Sequence, residues 1–489
     1  MSEAGAGPLP AGFRIGVATS GTQTEGGYNG PGEPANNWLA WERTGRVEPS
    51  GIALDFWNRW PEHLDRAVAA GCDAFRLSVE WARCEPDEGR LDEDAFERYA
   101  AILDGCRERG MLPVVALHHF AHPAWLGPGF WLRLESPARF ARWATVVAER
   151  LGRRCRHWIT LNEPNALAAL AWVTGAFPPG RIGAPGDLVR ALDHTLAAHV
   201  LAHAAVHRHR PDAMASLTTH ATSVYELDRL LVDVLAARSR GVLRADLGDW
   251  LRGRRNDWYG GLPRPRPLEA LVRRVVATAV PLEQALPRAV AAVYDGPHER
   301  PLDAVLVDWY DPEAAGRLRL PGRPTAGGRA WRPFRPLWDD PVHPEGLAAW
   351  CRAVAEPGIE VWVAESGLCN RVRNGRAWPR GDGWDRDRFL SAHLGAMARV
   401  AAAGVPVTAY FHWTLADNWE WGSYEPRFGL HGVDRARGLR WSELDAMGGP
   451  AAATYRRLAA TMRARPDRRL ATTMEAGPDG VGAAGGAVP

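Results

Sequence analysis

The chain has 489 residues, 46% of them hydrophobic, enough for a large core built either as a few domains or as one long α/β barrel. Its formal net charge is +2, so composition gives no strong attraction to nucleic acid or to an anionic membrane. All 59 basic residues are arginine, which excludes Schiff-base lysine chemistry and a phosphate-loop lysine.

Apolar, β-rich runs alternate with helical segments along the whole chain. The predicted strands are 13–19, 72–79, 112–119, 157–162, 213–219, 302–309, 359–364 and 405–413. Helical periodicity predicts helices over 62–70, 94–109, 137–151, 188–210, 345–355 and 386–403. Alternating strand and helix implies a parallel sheet, and eight strands imply closure: an α/β chain folded as a (β/α)8 TIM barrel, one domain with loop insertions. No Gly-x-Gly-x-x-Gly follows the first strand, which argues against dinucleotide binding.

Residues 225–300 form an irregular, Arg- and Pro-rich insertion that reads as loop and helix on the barrel, not as a separate domain. The expected organisation is a flexible N-terminus over 1–12, the barrel over 13–465 and a disordered Gly-, Ala- and Pro-rich tail over 466–489. Cys72, Cys84, Cys106, Cys155, Cys351 and Cys369 form no Cys-x-x-Cys pair and read as reduced, buried thiols. With no secretory pattern in MSEAGAGPLPAG and no apolar stretch of membrane-spanning length, the expected setting is cytoplasmic, with no membrane partner. No oligomeric state follows.

In such a barrel the reacting groups sit at the C-terminal ends of the strands. Two ends place a lone glutamate directly after an apolar run: Glu163 after Trp158–Asn162 and Glu365 after Val361–Ala364. Cleaving a glycosidic bond needs such a pair, one carboxyl to protonate the leaving oxygen and one to attack the anomeric carbon or activate water. Two salt-bridged structural glutamates would fit the pattern alone. The 23 tryptophans add only slightly to a carbohydrate reading, because most would be core.

Further motifs narrow this. Asn162-Glu163-Pro164, Glu365-Ser366-Gly367 and the run from Tyr410 to Trp421, with Arg427-Phe428-Gly429-Leu430 behind it, resemble the signatures of glycoside hydrolase family 1. Gly16 to Gly26 resembles that family's first strand, and Phe75 to Arg83 its second, so the resemblance spans roughly residues 13–460.

The resemblance implies a retaining, β-glucosidase-like hydrolase of β-O-glycosidic bonds, acting by double displacement on a small-molecule β-glycoside or oligosaccharide, without cofactor or metal. Position by position it implies Glu163 as acid/base and Glu365 as nucleophile. Gln23, His119, Asn162, Glu420 and Trp421 would hydrogen-bond the nonreducing sugar, Trp413 would lie under it, and Arg76 and Tyr310 would contact the nucleophile. It also implies a cis Trp413–Thr414 peptide. Two other activities keep the barrel: a transglycosidase passing the sugar to a small alcohol, and a non-catalytic sugar-binding barrel.

Three positions depart from the family pattern: Ser366 after the nucleophile, Asp308-Trp309 before Tyr310, and Phe120-Ala121-His122-Pro123 after strand three. Asp308 replaces a neutral asparagine. If it points into the pocket it would raise the acidic limb of the pH–rate profile; otherwise it turns away to cap a loop or meet an arginine. His199, His203 and His207 recur at helical spacing, but no carboxylate is spaced to complete a metal site. His118, His119 and His122 are likewise set aside as ligands. Arg252, Arg254 and Arg255 read as a solvated loop rather than a nucleic-acid surface.

Overall fold

The computed structural model describes residues 8–261, 267–279, 286–310 and 336–463. The tail expected over 466–489, and residues 1–7 of the expected flexible N-terminus, lie outside these.

The barrel strands are β1 (Arg14–Ala18), β2 (Ala74–Ser78), β3 (Leu112–Ala116), β4 (His157–Ile159), β5 (Met214–Ser216 continued as Thr218–His220), β6 (Ala304–Trp309), β7 (Glu360–Ser366) and β8 (Val407–Trp413). Each lies within or overlaps a predicted run. Neighbouring strands pair in parallel in the order β4-β3-β2-β1-β8-β7-β6. Strand β5 closes the ring: its first half pairs with β4 (Ile159↔Ser216) and its second with β6 (Thr218↔Leu306), the break falling at Leu217.

Side chains alternate between two apolar clusters, as the period of two in a strand requires. Phe75 and Leu77 of β2, Val305 and Val307 of β6, and Tyr410 of β8 join the layer under the helices, as does Val407 across a register shift before Ala409. Ala74, Leu306, Ala409 and Phe411 pack inside the barrel. By the same alternation Arg76 and Asp308 face inward. Strand β7 breaks the rule once. Val307↔Val363 is followed by Asp308↔Glu365, and Tyr410↔Val363 by His412↔Ser366, so β7 holds one extra residue against both neighbours. Such a bulge re-aims the side chains after it. Ala364 and Glu365 both face inward, and Ser366 turns to the helix layer.

The major helices are α1 (Phe56–Ala69), α2 (Glu93–Glu108), α3 (Ser136–Leu151), α4 (Pro164–Trp172), α5 (Pro185–His209), α6 (Arg229–Ala236), α7 (Leu247–Gly261), α8 (Pro267–Ala279), α9 (Pro287–Asp295), α10 (Pro344–Val354), α11 (Arg386–Ala402) and α12 (Ala451–Arg463). Helix α1 starts before the predicted residue 62; Pro61 lies inside it and the chain kinks at Arg59 (φ −108°, ψ 18°), where proline interrupts the hydrogen-bond ladder. The insertion expected as loop and helix supplies four α-helices among its described residues, α6 to α9. Leu230 and Leu235 of α6, Leu251 and Trp258 of α7, partly buried Val272 of α8 and Val290 of α9 pack them into the same apolar layer as the barrel helices. Helix α12 crosses the start of the sheet, where the Tyr455 hydroxyl donates to Gly16 O (2.7 Å).

All six cysteines are buried and free. Among the described residues no helix is long and apolar enough to cross a membrane.

Candidate active site

The ends of β2, β4, β5, β6 and β7 converge on three carboxylates. After β4 the chain turns at Glu163, which has left-handed backbone angles (φ 40°, ψ 60°) and caps the start of α4, with Pro164 in its first turn. The Glu163 N–H donates to Thr218 Oγ1 (3.0 Å), which pins the turn to β5. Its side chain then meets His220, with Oε1 2.9 Å from Nδ1. Bulged β7 delivers Glu365 across the pocket. One carboxylate oxygen each from Glu163, Asp308 and Glu365 lies within 4.8 Å of the other two, and all three side chains are buried.

Arg76 is the guanidinium set among them. Its Nη1 lies 2.8 Å from Glu365 Oε1 and 3.7 Å from Asp308 Oδ1. Nη1 also donates to Ala364 O (2.9 Å), so the Glu365 contact is a close ion pair rather than an aligned hydrogen bond. Nη2 donates to Asn162 Oδ1, which also accepts from Thr218 Oγ1 (3.1 Å). The Tyr310 hydroxyl donates to Glu365 Oε2 (2.9 Å), and its ring stacks on His220 (5.8 Å, 17°).

Buried carboxylates crowded together cannot all ionise at neutral pH. Burial, and then the charge of Glu365, push the Asp308 carboxyl well above the ordinary range, against the pull of Arg76. Burial also pushes Glu365 up, opposed by Arg76 and reinforced by Glu163. The shared proton belongs on Asp308. Glu365 has the closer guanidinium and the tyrosine donor, so it is the better-supported anion. A protonated Asp308 is neutral and can donate a hydrogen bond, like the asparagine it replaces.

Asp308 therefore points into the pocket yet carries no charge while Glu365 ionises. We expect Asp308→Asn to retain kcat/KM at neutral pH within about tenfold, with an acidic limb that superimposes on that of the parent. The profile of both proteins on one aryl glycoside checks this. If Asp308 is instead ionised, its removal lowers the pKa of Glu365 and the limb moves down by on the order of one pH unit.

The opposite wall is a polar and aromatic tray. Trp413 Nε1 donates to Glu420 Oε1 (2.9 Å), while Gln23 Nε2 donates to Glu420 Oε2 (3.2 Å) and to Trp419 O (3.0 Å). His119 stands between Trp413 and Trp421, nearly parallel to both, at 5.6 Å from each ring. Its Nε2 lies 3.5 Å from Asn162 Nδ2, which links the tray to the carboxylates. The Trp413–Thr414 peptide is cis. Flat rings edged by fixed amide, imidazole and carboxylate groups can hold a polyhydroxylated ring by stacking and hydrogen bonding.

The ten residues singled out in the sequence thus sit in one network at one end of the barrel. Sequence reasoning missed His220 and Thr218. The strand-end rule could have found them, since they close β5 as Glu163 follows β4. Of the three departures, Asp308 enters the pocket. Ser366 is fully buried on the helix side of β7. Phe120 packs its ring against Trp421 (5.1 Å) and so shapes the floor beneath it. His118 and His122 stack on each other (5.8 Å) beside Trp131 and Phe130, away from the carboxylates. Arg254 meets Asp233 (3.1 Å) and Arg255 approaches Glu226 (3.6 Å), so these two arginines are paired with acids.

A family model described as glycosyl hydrolase family 1 matches residues 6–247 and 335–443. The chain is 28% identical over 468 residues to a bifunctional β-D-glucosidase/β-D-fucosidase of Bifidobacterium breve, covering 87% of this chain and 94% of the relative. It is 25% identical over 469 residues to 6-phospho-β-galactosidase 1 of Streptococcus pneumoniae, covering 90% and 97%. The solved structure of a β-glucosidase from Thermotoga maritima in complex with deoxynojirimycin shares the fold, with a TM-score of 0.69 at 24% identity over 94% of this chain and all of that one (100%).

Proposed function

The chain belongs to glycosyl hydrolase family 1, and from that premise we propose that Glu365 and Glu163 carry out a retaining, two-step hydrolysis of β-O-glycosides. It is a glycoside hydrolase acting on O-glycosyl bonds, and its substrate class in this proposal is a small-molecule β-glycoside or oligosaccharide. A cytoplasmic setting belongs to the same proposal and is supported by the six free, buried thiols.

The observation that carries the mechanism is the approach of the carboxylates. Retaining glycosidases bring their two carboxyl groups to about 5–5.5 Å, whereas inverting enzymes hold them roughly 6.5–9.5 Å apart to admit a water. One oxygen each of Glu163 and Glu365 lies within 4.8 Å of the other, which fits the closer spacing, and the Arg76 and Tyr310 contacts to Glu365 support it as the attacking anion. In the first step a Glu365 oxygen bonds to the anomeric carbon as the C–O bond to the aglycone breaks, and Glu163 donates its proton to the departing oxygen. In the second, Glu163 takes a proton from water, the water oxygen bonds to the anomeric carbon, and Glu365 leaves as carboxylate. Arg76 and Tyr310 support the anion that attacks and later departs. His220 and Thr218 hold Glu163 in place.

Sugar recognition falls to the tray. Burial pushes the Glu420 carboxyl up to about 8, partly offset by hydrogen bonds from Trp413 and Gln23. Neutral or ionised, it offers no positive charge. The loop 422–427 contains a single cation, Arg427, whose charge acts on buried Asp417. A phosphate on the sugar's 6-position would therefore meet the Glu420 carboxyl and, within this loop, Arg427 alone as an anchor, at a cost of several kcal/mol. We expect plain aryl β-glycosides to exceed their 6-phosphates in kcat/KM by roughly a hundredfold or more. Assays of gluco, galacto, fuco and 6-phosphogalacto aryl β-glycosides test this, and a higher specificity constant for the phosphorylated sugar would overturn it. Proton NMR of the first product tests the stereochemistry: the β-anomer is expected, and an initial α-anomer would rule out double displacement.

A further inference from the structure

Helix α5 carries His199, His203 and His207 at four-residue spacing, so their rings line one face. The three are not equivalent. His199 has partners for both nitrogens: Nδ1 lies 2.6 Å from Thr160 Oγ1 and Nε2 2.6 Å from Pro301 O. His203 and His207 instead aim Nε2 at one oxygen, Oδ2 of Asp303, at 3.3 and 2.7 Å. Asp303 immediately precedes β6, nearly a hundred positions further along the chain, and therefore escaped a search for ligands by local spacing. The ring of His298 lies 4.9 Å from that of His203 and 5.2 Å from that of His207.

Two features distinguish this cluster from a simple ion pair. The first is crowding. Both imidazole nitrogens and the Ala215 N–H (2.8 Å) converge on the same carboxylate oxygen, and buried His203 makes no aligned hydrogen bond at either nitrogen among the described residues. The second is the outer partner of His207, whose Nδ1 lies 3.3 Å from Pro211 O. An imidazole that donates Nδ1–H to a backbone carbonyl presents the lone pair of Nε2, which is how metal-bound histidines are usually held. In that tautomer the Nε2 lone pair and Asp303 Oδ2, 2.7 Å away, can both turn to one ion.

We propose that His203, His207 and Asp303 bind a first-row divalent transition-metal ion such as zinc, with the neighbouring His298 ring able to turn toward it as a fourth ligand. Imidazole and carboxylate donors suit Zn2+, Co2+ and Ni2+. Around an ion with bonds of about 2.0–2.1 Å, tetrahedral ligand atoms stand roughly 3.3 Å apart, so separations of 2.7 and 3.3 Å need little adjustment. The site joins α5 to the segment entering β6, near where β5 begins. It lies at the N-terminal end of the strands, opposite Glu163 and Glu365, and an ion there clamps the barrel rather than serving the reaction. The inference is independent of the glycosidase chemistry.

The test is calorimetric titration of metal-free protein with ZnCl2, with thermal unfolding in parallel. One zinc per chain is expected, with micromolar or tighter affinity and a rise in Tm on saturation. His207→Gln and Asp303→Asn should each weaken binding by on the order of a hundredfold or more, while aryl glycosidase activity, remote from the site, shows that each variant is folded. If either variant fails to fold, partly exposed His298→Ala should weaken binding instead. Cobalt should give the intense visible bands of a tetrahedral site in the parent and lose them in the variants. Absence of saturable zinc, cobalt or nickel binding in the parent would overturn the proposal and leave a protonated histidine–aspartate pair. Binding of equal affinity in the parent and the variants would place the ion on other histidines and would also overturn it.

Discussion

Replacing Glu365 by glycine should lower kcat on every β-glycoside by roughly 10^4-fold or more, the scale on which loss of a covalent nucleophile acts. No other described group is poised to substitute. Asp308, a neighbouring carboxyl, is fully buried, and burial with the charge of Glu365 holds its pKa well above the ordinary range, so it is a poor nucleophile. Glycine also opens a space beside Arg76 and the Tyr310 hydroxyl, which lie 2.8 and 2.9 Å from the missing oxygens. A small anion can enter there. Added azide should restore turnover with good leaving groups and give the α-glycosyl azide, because it attacks from the side that Glu365 used while Glu163 still faces the other. A Glu365→Gly variant that keeps substantial activity, or a rescued product of β configuration, would show that the nucleophile is elsewhere.

Glu163→Ala should produce a different signature. A general acid contributes about 10^2- to 10^4-fold, but only where the leaving oxygen needs a proton. Alkyl β-glycosides should therefore lose activity by that full range. Dinitrophenyl glycosides, which depart as stable anions, should still form the glycosyl-enzyme quickly and then stall for want of a base to activate water. Pre-steady-state measurements should show a burst of dinitrophenol followed by slow turnover that azide accelerates. Equal losses on alkyl and dinitrophenyl substrates, without a burst, would mean that Glu163 has another role. The His220 Nδ1 contact at 2.9 Å places a buried imidazole against this carboxyl, so a milder loss with the same leaving-group dependence is expected for His220→Ala.

The barrel was legible because its evidence is local and repeated: apolar runs of strand length, separated by amphipathic helices, recur through the chain. Even the direction of Asp308 could be read from alternation with Leu306 and Ala304. Strict alternation fails for Glu365, since Val361 and Val363 face the helix layer and would carry residue 365 with them. The bulge in β7 reverses that parity, and nothing local in Val361-Trp362-Val363-Ala364 announces an extra residue, because a bulge is a relation between strands. The placement of Glu365 at a strand end survived because that rule does not depend on which way the side chain points.

Long-range pairings were the other blind spot. His220 reaches Glu163 across 57 positions, and Asp303 reaches His207 across 96. Spacing within one helix or strand carries no trace of either. In the 225–300 segment arginines and prolines obscure the helical periodicity, so helix within it is legible but the bounds of its helices are not. Its helices owe their order to burial of residues such as Trp258, which packs on Trp350 (5.1 Å).

The central claim is that Glu365 becomes covalently bonded to the sugar. It is tested most directly by stopping the enzyme with a β-glycosyl donor that carries fluorine at the 2-position and a good leaving group, then mapping the adduct by peptide mass spectrometry. The account predicts one sugar per chain, attached to the peptide containing Ala364-Glu365-Ser366 and specifically to Glu365. Attachment to Glu163 or Asp308 would contradict it, as would a protein that turns over its plain substrate at full rate but never accumulates the adduct.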